Sequence, residues 1–272
     1  MTLSPSERLR SAARVTFAVH VCQTLLALAP AWPLAHAVER ALATHPQGLA
    51  AWDAPGSLWR METLASLAEA IGLLGDVTLV SLVLTAVLAP LLQMAWLAAL
   101  LRPTPVRDAL AFGARRYRAA LGVSLALLPA LVLALGVLVL GPALLARVVR
   151  DTPNDRTHDL AVLAGLVPGL LLLALWALWH DLARASLARG GALPSALVRS
   201  ALACARPSAL AAYLGWLGLG TILAAAAQVL GAWLDGSGLL AALSALALTQ
   251  FLGLARTFVR GRWLASALDR IR

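Results

Sequence analysis

HDLARASLARGGALPSALVRSALACARP, residues 180–207, joins two long apolar runs through a basic, proline-punctuated connector rich in helix formers. A looser copy, WLAALLRPTPVRDALAFGARRYRAAL at residues 96–121, follows the second apolar run. A truncated one, LARTFVRGRWLASALDRIR at residues 254–272, follows the last. Apolar hairpins that return each time to such a connector predict an all-α polytopic membrane protein: six transmembrane helices arranged as three hairpins, with amphipathic connectors on one side.

Composition points the same way. Of 272 residues 61% are hydrophobic and 13% charged, with a mean hydropathy of +0.82. Soluble proteins carry about 25% charged residues. The apolar residues come in blocks long enough for a helix to cross a hydrocarbon core of about 30 Å. Spans are expected at about 15–38, 77–101, 119–146, 160–179, 208–234 and 238–255, within one integral membrane domain covering 1–272. Ala41-Leu42-Ala43 resembles a signal-peptide cleavage site, but the apolar stretch from Val15 to Val38 exceeds the usual length of such a signal, so a retained first helix is expected.

All 22 basic residues are arginine, a bias expected of a GC-rich bacterial genome. Their placement orients the chain. The amino terminus, residues 102–118, 180–207 and 256–272 together hold seventeen arginines and four acidic residues, whereas residues 39–76, 147–159 and Asp235 hold five and nine. By the positive-inside rule the first group is cytoplasmic, so both termini are expected inside, in a bacterial inner membrane. Trp32 and Trp233 near expected outer ends, and Trp96, Trp176 and Trp179 near inner ends, read as headgroup-level belts. The net charge of +9 is no nucleic-acid signature, because the arginines flank apolar runs.

Residues 39–76 form a polar, acidic outer loop. Within it Leu58, Met61, Leu64, Ala65, Ala68 and Ile71 share one helical face. That amphipathic helix either lies on the outer membrane surface or caps the bundle.

Thr16, His20 and Thr24 recur every four residues on the first span with Gln23 beside them, and Gln93 and Gln250 lie at similar depth. Polar side chains in hydrocarbon need partners, so these six either tie helices together or converge on a cavity. Ala161, Gly165 and Gly169, and again Ala245, Thr249 and Gly253, form small-residue stripes suited to close helix approach. Pro30, Pro90, Pro129 and Pro168 fall inside expected spans and should kink them. The turn from Asp151 to Asp159 is rich in oxygen ligands without the spacing of a calcium loop, and Thr157 or Asp159 as a helix cap explains it. His180 and Asp181 read as interfacial.

The two cysteines, Cys22 and Cys204, fall at different expected depths and imply no disulfide or metal framework. No catalytic, nucleotide-binding or metalloprotease motif is present. No catalytic, cofactor-binding or metal-binding residue is therefore assigned.

The stretch Asp181-Leu-Ala-Arg184, a small linker, Ala-Leu-x-x-x-Ala-Leu over residues 196–202, and Arg206-Pro207 resembles a pattern in bacterial six-helix inner-membrane proteins of unknown function. These include the membrane domain accompanying some glycerophosphodiester phosphodiesterases. The likeness is clearest over residues 180–220; the phosphodiesterase's catalytic domain has no counterpart here, so its activity does not carry over. The expected role is a non-enzymatic membrane scaffold or lipid- or partner-interacting subunit. Its contacts are the lipid bilayer, anionic lipid headgroups through Arg115, Arg116, Arg199 and Arg206, and a protein partner or a second copy in a homo-oligomer. The other reading is a transporter or channel component with a polar cavity between kinked helices.

Overall fold

The structure, a computed structural model, describes residues 4–43, 83–149, 155–234 and 239–271; side chains are described for all of these except 29–43, 155, 158, 232–234 and 239–242. Among the described residues every regular element is an α-helix: α1 Pro5–Ser11, α2 Ala13–Ala43, α3 Val83–Leu101, α4 Val106–Ala126, α5 Leu128–Val148, α6 Asp155–Ala188, α7 Leu193–Cys204, α8 Pro207–Leu234 and α9 Leu239–Arg270. The chain divides into two compact units, Ala18–Ala89 and the combination of Met1–Phe17 with Pro90–Arg272. The second holds α1, most of α3 and α4 to α9.

Four described helices are long and apolar enough to cross a membrane: Val83–Leu101, Leu128–Val148, Asp159–Ala188 and Pro207–Gly231. The broken pair Pro5–Ser11 and Ala13–Leu28 makes a fifth if taken as one span. Many of their apolar side chains point outward. On α5, Val139 is 71% and Val148 79% exposed, and Leu163 and Val167 on α6, Ile222 and Val229 on α8 and Phe251 on α9 are exposed as well. Leaving one such side chain in water rather than buried forfeits about 1.5–3 kcal/mol. Hydrocarbon is the surrounding that relieves this, and the chain is a multi-pass helical membrane protein.

Several expected spans differ from the observed helices. The stretch 119–146 is divided at Leu127 between α4 and α5. Pro129, at the second position of α5, has no N–H to continue the ladder, so α4 closes with Leu127 N–H on Val123 O at 3.0 Å. The stretch 160–179 is longer at both ends, since α6 begins at Asp155, ahead of the expected caps Thr157 and Asp159, and runs to Ala188. It ends where Gly190 N–H bonds Leu187 O at 2.9 Å and Gly191 N–H bonds Ser186 O at 3.1 Å, with Gly190 at φ +95°. That left-handed residue after a helix terminus is the position glycine fills without strain. The expected sixth span and the basic tail are one helix, α9. Of the outer loop, residues 39–43 continue α2; the amphipathic helix expected there lies outside the described residues, as does the start of the turn from Asp151.

The small-residue stripe on α6 marks a close approach. A Cβ on Gly165 would stand 2.6 Å from Pro142 Cα of α5, and one on Gly169 would collide with Leu138. On the other stripe, Thr249 Cγ2 lies 3.1 Å from where a Cβ on Gly231 would be, joining α8 to α9.

The core gathers where the arginine-rich segments meet. Met94 to Leu100 of α3, Leu182 to Ala188 of α6 and Trp263 to Ala265 of α9 are all buried. The start of the supposed connector, residues 181–188, is thus interior helix.

Candidate functional site

Because α6 continues past Trp179, His180, Asp181 and Arg184 stand on adjoining faces of one helix, four residues or fewer apart, so their side chains reach into the same volume. Asp181 is 0% exposed. A carboxylate so placed is tolerated only with donors around it, and two neighbouring helices supply them. Gln93 Nε2 of α3 donates to Oδ1 at 2.9 Å, Arg260 Nη2 of α9 to Oδ1 at 2.8 Å and Trp263 Nε1 of α9 to Oδ2 at 3.0 Å. Trp263 also meets Tyr213 of α8 edge to face, their centroids 5.1 Å apart.

Arg184 extends the network to α4. Its Nη1 donates to Gln93 Oε1, so the Gln93 carboxamide bridges Asp181 and Arg184, and its Nη2 donates to Ser124 Oγ at 2.7 Å. Ser124 Oγ shares a 3.2 Å contact with His180 Nε2 in which either atom can donate, and His180 stacks on Trp176 at 5.2 Å. Trp176 Nε1 donates to Leu127 O at 3.0 Å, clipping the break between α4 and α5. Trp179 Nε1 donates to Leu197 O of α7 at 3.2 Å. One carboxylate and two guanidiniums leave the centre one positive charge in excess, and Arg184 Nε, buried, has no hydrogen-bond partner.

A second polar knot holds the amino terminus. Ser4 and Glu7 form a reciprocal cap on α1, Ser4 N–H to Glu7 Oε2 at 2.7 Å and Glu7 N–H to Ser4 Oγ at 3.3 Å. The buried Arg8 then reaches Asp269 of α9 at 3.0 Å. Gly261 lets Leu9 and Trp96 approach to 2.7 and 2.8 Å of its would-be Cβ. Trp96, expected in a headgroup belt, is interior, and its Nε1 donates to Thr16 Oγ1 at 2.9 Å.

Of the six polar positions singled out in the sequence, Thr16 and Gln93 are therefore both bonded, to different partners. Thr16 also donates to Ala12 O at 3.0 Å. Gln23 and Gln250 are exposed, and His20 and Thr24 half-buried. Of the four arginines, Arg116 and Arg199 come to the same turn: Arg116 Nη2 lies 3.9 Å from the would-be Cβ of Gly190, and Arg199 Nη2 3.5 Å from that of Gly191. Arg115 lines an open cleft beside Arg102. Arg206 is exposed between α7 and α8. Among the residues whose side chains are described, no group of three or more His, Cys, Asp or Glu could hold a metal.

Asp181, Arg184, Arg260, Trp263 and Ser124 were not marked as a site by sequence. One signal was available: no helix breaker stands between Trp176 and Gly190, so His180, Asp181 and Arg184 continue the fourth helix. No family model, curated protein or solved structure matches this chain.

Proposed function

We propose that this is a non-enzymatic, multi-pass protein of the bacterial inner membrane, with six spans and both termini cytoplasmic, whose connector helices α4 and α7 lie against anionic lipid headgroups. The observation that carries this is the outer face of α7. Val198 and Leu202, 60% and 66% exposed, flank Arg199, while Ala196, Ser200 and Ala203 are buried on the other side. A helix with two apolar residues and an arginine facing away from its protein is suited to the headgroup boundary. The arginines divide accordingly: Arg8 and Arg184 are buried in polar contacts and Arg260 pairs with the buried Asp181, while Arg115, Arg199 and Arg206 are exposed. The resemblance over residues 180–220 accords with a scaffold or subunit of this kind, which also allows a cytoplasmic protein partner or a second copy on the same face.

The test joins topology to lipid. Tags at Gln47 and Gly190 should report opposite compartments. Replacing Arg115, Arg116, Arg199 and Arg206 by glutamine should remove the anionic lipid that copurifies, each charge being worth about 1 kcal/mol. Tags in one compartment, or lipid content unchanged, would reject the reading.

A transporter or channel component is the second reading, favoured by the buried Asp181, since an ionisable residue inside a helical membrane bundle marks a pathway by default. Proton flux into vesicles that Asp181→Asn abolishes is its outcome; equal flux in both rejects it.

A further inference from the structure

At the turn from α3 into α4 lies an open cleft of about 440 Å³. Arg102 and Arg115 line it together with Asp108, Thr104, Ala111 and Phe112. Among the described residues none of Arg102, Arg115 and Asp108 is engaged in an ion pair. The walls are preformed. Pro103 and Pro105 fix the backbone of the turn, and Thr104 Oγ1 donates to Arg102 O at 2.8 Å. Gly113 sets α4 against α3 so closely that a Cβ there would stand 2.6 Å from Leu91 O.

Resting on the reading that this face meets anionic lipid, we infer that the cleft binds a singly charged phosphodiester group bearing a hydrogen-bond donor, held between Arg102 and Arg115 with the donor toward Asp108. Charge selects the class. Two guanidiniums and one carboxylate leave the cleft at +1, the complement of a phosphodiester, while a doubly charged phosphomonoester faces Asp108 at a loss. Guanidinium is the side-chain cation best shaped for phosphate oxygens. Size permits it, because the open cleft of about 440 Å³ is more than a bare anion fills. Ala111 and Phe112 give the organic part an apolar wall. The same chemistry occurs in a lipid headgroup and in a soluble phosphodiester.

Purified full-length protein in detergent is titrated with phosphatidylglycerol, and bound lipid is counted by native mass spectrometry. The unaltered chain should hold one lipid about twentyfold more tightly than Arg102→Gln/Arg115→Gln. Displacement by the deacylated headgroup assigns a soluble ligand; failure to displace assigns the lipid. Equal affinity in the unaltered chain and Arg102→Gln/Arg115→Gln overturns the cleft. In that event, lipid lost from Arg199→Gln/Arg206→Gln leaves the connector reading standing alone, and lipid lost from neither pair ends both. As a check that does not remove the arginines, Asp108→Asn should shift preference from phosphatidylglycerol toward phosphatidic acid about fivefold, and an unchanged preference overturns the assignment.

Discussion

Arg260 Nη2 stands 2.8 Å from Asp181 Oδ1, yet the two side chains differ in surroundings, 44% exposed for the arginine and 1% for the aspartate. The pair is therefore unequal. Losing Asp181 leaves Arg184, 2% exposed and joined to Asp181 through Gln93, with no carboxylate beside it among the described residues, and uncovering a buried charge in this way costs about 3–5 kcal/mol. Losing Arg260 leaves Asp181 with Gln93, Trp263 and the nearby Arg184, and the solvent-screened share of the pair discounts the loss to about 1 kcal/mol. Thermal unfolding in detergent should rank Asp181→Asn well below Arg260→Gln; the reverse order would refute the asymmetry.

Trp263 contributes by its indole N–H. Trp263→Phe keeps an aromatic edge for Tyr213 but leaves Asp181 Oδ2 without its donor, a loss of about 1–3 kcal/mol. In the Asp181→Asn background the same change should cost less, and full additivity in a double-mutant cycle would show that the bond contributes nothing.

Helix approach on α5 and α6 gives a prediction with an internal control. Gly165→Leu and Gly169→Leu drive a side chain into Pro142 and Leu138, whereas Gly136 has nothing within 4 Å of its would-be Cβ. The first two should lose about 1–3 kcal/mol or more by overpacking, measured as apparent melting temperature, while Gly136→Leu should leave it nearly unchanged.

Cys204 on α7 should be a slow thiol. Burial pushes its pKa up to about 12, because the thiolate is the form that burial penalises. Thiolate, the reactive form, is then a small fraction at pH 8. With Cys22 replaced by serine, maleimide labelling should be slow at pH 7 and rise about tenfold per pH unit through pH 10 without levelling. A plateau near pH 9 would indicate an ordinary, solvated thiol.

Much of the helical order was legible because hydropathy needs only one residue at a time. The two stripes of small residues were legible too, and Gly165 and Gly169 lie where backbones touch. What was lost was depth at the arginine-rich end. Charge reads as surface in a hydropathy profile, so His180, Asp181 and Arg184 marked the start of a connector, although Trp176 to Ala188 carries no breaker. Gln93 was visible as a polar residue in an apolar helix, but its partners Asp181 and Arg184 are 88 and 91 residues away, and only tertiary structure pairs them. The same holds for Trp96, whose amphipathic ring suggested an interface until Thr16 accounted for its N–H.

The order in which the chain leaves the ribosome bears on the Asp181 centre. Arg260 follows it by 79 residues and Trp263 by 82, so at about 5–20 residues per second the carboxylate waits several seconds for two of its three donors. Until α9 arrives, the nascent protein carries an unfinished polar seam that chaperones or membrane proteases can recognise. Chains truncated before Arg260 should accordingly be cleared faster than untruncated ones, which makes α9 a checkpoint on assembly.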